Sequence, residues 1–396
     1  MHRKTIAYAR ALVSTLAVAA SAYASAQTPL KIGVIAEMTG AQAEYGLQMT
    51  NGMKLYMSEH GEVVGGRKIQ LIVKDVGGPN PEVAKRLAQE LVTRDKVEFL
   101  AGFGFSPNAL AVAPVATAAK VPMVVMNAAT SSIPLKSPYI IRTSFTLAQG
   151  AMGIATWAAQ NGMKRVFVLY ADYAPGNDAK NQFRKTFTAA GGEIIGEIGV
   201  PLKNPEFGPY MERVKAAKPD ALFMWFPSGE LSTALVRSYR ERGLEEAGIK
   251  PLGTGDAVDD MFVNSMGDAA IGLITASHYS IAHDSPKNKA FVSGYQQMFG
   301  KTIRPNFMAV GGYDGMAVIY EAVKKLGGNT DGTQAIEAMK SLKLESPRGP
   351  ISFEADVRDI VQNIYIRRVE RRNGELYSIE FATLPAIRDP GKDASQ

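Results

Sequence analysis

The residues that could do chemistry in this chain are few, and their types point to binding before catalysis. Its four histidines, His2, His60, His278 and His283, form no ligand or base motif such as H-E-x-x-H. Neither a G-x-S-x-G nucleophile elbow nor a G-x-x-x-x-G-K-[ST] phosphate loop occurs. With no cysteine, disulfides, thiolate zinc sites, iron–sulfur centres and a cysteine nucleophile are excluded. Gly102-Phe103-Gly104-Phe105-Ser106-Pro107 begins like a dinucleotide fingerprint. It lacks the third glycine and follows the third strand instead of the first, so no nicotinamide or flavin is expected, and no other cofactor or metal.

The same segment is more informative as an anion site. Pro107 suits the first turn of a helix, which puts Ser106 at or beside the N-cap, where its hydroxyl and free backbone N–H groups can face a ligand oxygen. The simpler alternative is that Ser106 only caps its own helix. The next strand, residues 121–126, ends in Asn127-Ala128-Ala129-Thr130. In a parallel sheet adjacent strand ends lie side by side, so Ser106 and Thr130 should converge at one rim. Two hydroxyls and helix N–H groups, without an obligatory Lys or Arg, suit a carboxylate better than a doubly charged phosphate.

The elements that must position these residues follow from hydrophobic patterning. Strands are expected at 30–36, 68–75, 97–101 and 121–126, with helices between them over 49–57, 81–91 and 107–119. A second alternating run follows, with strands at 165–170, 193–200, 221–226 and 271–276. Two runs of this kind predict an α/β protein of two doubly wound parallel-sheet lobes. The tail reverses the order: 306–341 reads as two helices, and 360–369 with 376–381 as a hairpin around Asn373-Gly374, so the chain should revisit both lobes.

The length of 396 residues exceeds what one core sustains and agrees with two lobes. The formal net charge is +6. Arg3, Lys4 and Arg10 precede an uncharged stretch from Ala11 to Ala22 that ends in Ala24-Ser25-Ala26, the pattern of a signal peptide cut after Ala26. Its removal leaves a charge of +3, no signature of a nucleic-acid partner, and the Arg367-Arg368 and Arg371-Arg372 pairs read as a solvated strand and turn. The mature chain is expected to be soluble outside the cytoplasmic membrane, with no membrane span.

Several short runs together resemble the branched-chain amino-acid-binding (Leu/Ile/Val-binding) family, periplasmic receptors of ABC importers. They are Ile32-Gly33-Val34 through Thr39-Gly40, Tyr45-Gly46, Asn51-Gly52, Gly65-Gly66-Arg67-Lys68-Ile69, Asp75, Ala113-Pro114, Val121-Pro122, Ala129-Thr130, Asp172-Tyr173-Ala174-Pro175-Gly176 and Gly311-Gly312-Tyr313-Asp314. The resemblance covers essentially the whole mature chain. It implies a type I periplasmic binding protein fold, in which three crossings join the lobes and the ligand lies in the cleft between them. By position the crossings should fall near 142–145, 279–283 and 349–353. The implied division is a signal peptide over 1–26, a first lobe of 27–144 plus 283–350, a second of 145–282 plus 351–384, and a tail of 385–396.

For the site, the resemblance implies that Ser106, Ala128 and Thr130 hold a carboxylate and that Tyr45 walls the ligand. The second lobe departs from the amino-acid pattern. Pro175 stands where branched-chain binders have tyrosine, with Tyr173 two residues earlier. The acidic group for an ammonium could be Asp256, or be absent if Gly255 is the aligned position. Phe105, with Phe103, Tyr173 and Trp225-Phe226, leaves room for an aromatic or otherwise apolar acid, though such residues can equally be strand-end core. The expectation is a non-enzymatic, monomeric binder that passes a small carboxylate or amino acid to an importer permease. Alternatives are a binder of amides such as urea, a ligand sensor, or an enzyme on the same fold.

Overall fold

The computed structural model describes residues 28–392, so the expected signal peptide and its cut after Ala26 lie outside the described residues. The first lobe is built on a six-stranded sheet. Its elements are β1 (Leu30–Ala36), α1 (Ala43–His60), β2 (Val63–Val64), β3 (Arg67–Asp75), α2 (Pro81–Thr93), β4 (Phe99–Gly102), α3 (Ser106–Ala119), β5 (Met123–Val125) and β6 (Ile140–Arg142). The strand order is β2-β3-β1-β4-β5-β6, parallel except for the short β2–β3 pair. Both faces are covered, as a parallel sheet requires. In β1, Leu30, Ile32, Val34 and Ala36 enter one core cluster and Ile35 the other, beside Leu87 and Leu91 of α2.

The chain then enters the second sheet. Here α4 (Leu147–Gln160), β7 (Arg165–Ala171), α5 (Ala174–Ala189), β8 (Glu193–Val200), α6 (Gly208–Ala217), β9 (Ala221–Trp225), α7 (Glu230–Glu241), β10 (Lys250–Thr254), α8 (Val263–Met266) and β11 (Ile274–Ser277) follow in order. The strands β8-β7-β9-β10-β11 repeat the topology of β3-β1-β4-β5-β6 in the first lobe. After β11 the chain forms α9 (Pro286–Phe299), α10 (Phe307–Lys325) and α11 (Gly332–Lys340), of which α9 and α10 pack on α1. It ends with β12 (Lys343–Ser346), β13 (Gly349–Glu354), β14 (Asp359–Arg372) and β15 (Glu375–Ile387), all in the second sheet.

Four details differ from the sequence reading. The second sheet is mixed, because β14 runs antiparallel to β11, β13 and β15. Lys343–Ser346 already pairs with β13, so sheet membership changes ahead of the expected crossing at 349–353. A polar four-residue strand carries too little alternation to be seen in sequence. Residues 385–387, placed in a tail, continue β15, and Asp389 beyond them is buried. Of the arginines read as solvated, Arg367 is buried, since neighbours in a strand face opposite sides.

Contact between α1 and α10 needs small residues at the crossing. A Cβ on Gly52 would overlap the carbonyl oxygen of Ala309, and one on Gly312 the carbonyl of Met49. Gly52→Leu should therefore destabilise the protein by about 1–3 kcal/mol or more, seen as a lowered thermal midpoint; an unchanged midpoint would contradict this packing.

Candidate functional site

The carboxyl ends of strands from both lobes meet at one cavity. Tyr45 sits in the first turn of α1, Gly104 to Ser106 follow β4, and Asn127 and Ala129 follow β5. Tyr173 and Pro175 follow β7, Trp225 and Pro227 lie at the end of β9, and Asp256 follows β10. Phe145 and Leu147, on the passage from β6 to α4, complete a lining around about 30 Å³ of free volume. This is the switch-point location at which open α/β sheets bind ligands.

The geometry removes the simpler reading of Ser106, a cap on its own helix. Phe105 occupies the N-cap of α3, and no side chain caps that helix. Ser106 Oγ instead accepts the backbone N–H of Thr130 at 3.2 Å, and that bond does not use its own O–H. The two positions thus converge at one rim, with different roles: Thr130 contributes its main chain there and is not part of the cavity lining. Ala128 is turned away, its N–H bonded to Phe103 O, and Ala129 lines the cavity.

Walls and far end come from the aromatic and acidic residues. Tyr45 and Phe105 stack at 5.1 Å with planes 6° apart, and Tyr173 lies 5.7 Å from Trp225. Phe103, grouped with them in sequence, is instead core beneath the first sheet, and Phe226 packs edge-on against Phe207. Asp256 lines the cavity; a Cβ on Gly255 would collide with Ser277 Oγ, so the preceding position can carry no side chain. Burial raises the Asp256 pKa to about 6, against a hydrogen bond from Thr254 Oγ1 at 2.9 Å. The Trp225 indole N–H lies beside the carboxyl and favours its charged form, yet the pair misses hydrogen-bond geometry and Nε1 stays without a partner.

Contacts across the cleft hold it shut. The Tyr45 hydroxyl donates to Ser228 O at 3.1 Å. Ser228 Oγ and Asn306 Nδ2, the latter at the N-cap of α10, both donate to Asp259 Oδ2, at 2.7 and 2.9 Å. Behind the rim, Arg142 donates to Ala128 O and Thr130 O at 3.2 and 2.8 Å while its other nitrogens hold Asp359. None of Phe145, Leu147, Asn127 or Arg142 carried a motif; only their place next to a strand end could have pointed to them.

Comparison with known proteins agrees with this architecture. A family model described as periplasmic binding protein matches residues 29–375, and the chain belongs to that family. It is 41% identical, over 99% of its length and 100% of the relative's, to Leu/Ile/Val-binding protein homolog 6 of Brucella melitensis. A solved solute-binding protein of an ABC transporter from Rhodopseudomonas palustris BisB5, in complex with 3,4-dihydroxybenzoic acid, is 56% identical. It superposes with a TM-score of 0.89 over 92% of this chain and 99% of that one. A second, from Rhodopseudomonas palustris HaA2 in complex with p-hydroxybenzoic acid, is 42% identical with a TM-score of 0.91 over 93% and 100%. The family is one of transport receptors and not an enzyme class.

The buried carboxyl gives a test. Because the folded protein raises the Asp256 pKa, it binds more protons than the unfolded chain between the ordinary carboxylate range and about pH 6, so stability falls as pH rises through that window. Asp256→Asn should then stabilise the ligand-free protein at pH 8 by up to about 3 kcal/mol, and the gain should vanish near pH 4. Denaturant unfolding at the two pH values measures it, and a pH-independent difference would refute it.

Proposed function

We propose that the protein, exported and cleaved after Ala26, captures an aromatic carboxylate in the interlobe cavity as a monomer in the periplasm and delivers it to an ABC importer permease. The observation that carries this is a cavity with hydrogen-bond donors at one end, an acidic acceptor at the other and aromatic rings between. The carboxylate would sit at the Ser106 hydroxyl and the uncapped N-terminus of α3, where N–H groups and the helix dipole favour an anion. Tyr45, Phe105, Phe145, Tyr173 and Trp225 would enclose the ring. Asp256 would accept a hydrogen bond from a hydroxyl on its far side. The aromatic acids bound by the two Rhodopseudomonas proteins support this reading.

Asp256 also favours a second reading, an amino acid whose ammonium pairs with the buried carboxylate. A thermal-shift and calorimetric comparison of benzoate, 4-hydroxybenzoate, leucine and urea separates them, since a ligand at a hundred times its Kd adds about 2.7 kcal/mol. Binding by 4-hydroxybenzoate and not by leucine or urea is expected. Ser106→Ala should weaken that binding by about 1–3 kcal/mol, roughly 5- to 150-fold. Binding confined to leucine would overturn the aromatic assignment, and an unchanged Kd in Ser106→Ala would overturn the carboxylate position.

A further inference from the structure

The ligand cavity does not end at Asp256. A second compartment lies against it towards the passages between the lobes, and the two share Phe145, Leu147 and Asp256 as lining. Beyond these, the compartment is bounded by Thr146, Thr254, Ser277 and His278 over an apolar floor that includes Phe307 and Ile364. Its free volume, about 10 Å³, matches one water-sized group.

Most of the polar groups there are already committed. Thr146 Oγ1 donates to Asp389 and accepts from Gln149 N, both at about 3 Å, and Thr254 Oγ1 donates to Asp256. His278 is different. It is 2% exposed, and its Nε2 has no hydrogen-bond partner. The ring is held rigidly, stacked on Phe145 at 4.7 Å and edge-on to Phe307 at 5.9 Å, so it cannot swing away to find one. Burial, with the Arg348 and Arg367 cations nearby, keeps the imidazole neutral, with one donor and one acceptor nitrogen. Leaving a buried ring nitrogen unpaired is costly, and His278 lines the compartment that a hydroxyl would enter.

We propose that the hinge compartment is a second polar subsite that takes one hydroxyl group of the aromatic carboxylate's ring, with His278 and Ser277 as the residues that select for it. This rests on the aromatic-carboxylate reading above. The site then distinguishes acids by substituents on the ring edge facing the hinge: one hydroxyl meets Asp256, and an adjacent one enters the compartment. A ring without the second hydroxyl leaves the His278 nitrogen unpaired.

Calorimetry with 3,4-dihydroxybenzoate, 4-hydroxybenzoate and benzoate on the full mature chain tests this. The wild-type protein should prefer the dihydroxy over the monohydroxy acid by about tenfold. His278→Phe, which keeps a stacking ring and removes both nitrogens, should reduce that ratio to about twofold or less. Ser277→Ala should reduce it in the same direction, and it serves alone if His278→Phe does not fold. No preference in the wild type, or an undiminished preference in the folded variants, overturns the subsite while leaving aromatic-acid binding intact. If none of the three acids binds and leucine does, the functional reading fails and the subsite with it.

Discussion

A guanidinium buried at the first passage between the lobes constrains the rest of the molecule. Arg142 is fully inaccessible to water, and removing such a charge from solvent costs several kcal/mol unless every donor is met. Its partners come from three separate stretches of chain. Asp359 at the start of β14 receives Nε at 2.8 Å, Asp389 lies 3.8 Å away, and the carbonyls of Ala128 and Thr130 take the remaining nitrogen. Although burial alone would raise the Asp359 pKa, Arg142 and Lys392 hold it below the ordinary carboxylate range. The loop that presents Ser106 with a backbone N–H is therefore fixed by the same cation that ties the first sheet to the second. Arg348 repeats the device nearby: it pairs with Asp314 of α10 at 2.9 Å and donates to the carbonyls of Thr143 and Ser144.

The cross-cleft contacts are directional, among them Tyr45 to Ser228 and the shared Asp259. Hydrogen bonds over a preformed cavity are an arrangement that a ligand can bias, provided it binds the closed state more tightly than the open one. In the proposed complex the donors belong to the first lobe and Asp256 to the second, so only a closed cleft would let one molecule satisfy both.

How much of this could be read in sequence differs from residue to residue. The strand ends carrying Tyr45, Phe105, Ser106, Tyr173 and Asp256 were legible, because apolar runs broken by glycine, proline and polar residues mark where a parallel strand stops. These five line one cavity. Ala128 against Ala129 was not legible, since which of two adjacent alanines faces a cavity depends on a single main-chain hydrogen bond. Nor was the fate of the paired arginines: Arg367 donates to Thr275 Oγ1 and the carbonyl of Tyr279 inside the protein, while Arg371 and Arg372 are exposed on the hairpin. His278 carried no motif, and it matters only because the rings that flank it, Phe145 and Phe307, lie far from it along the chain.

The sequence by itself determined two doubly wound lobes, because the period of apolar residues and the turn chemistry between them are local properties of the chain. It also determined that hydroxyl and main-chain donors gather at the ends of β4 and β5, since adjacent parallel strands must end together. Only the tertiary structure decided what faces what across the cleft. The partners of Ser106, Asp256, Arg142 and His278 come from distant segments, and their meeting depends on how the two sheets are turned towards each other. That orientation is set by buried charges and packed rings whose complements no local pattern encodes.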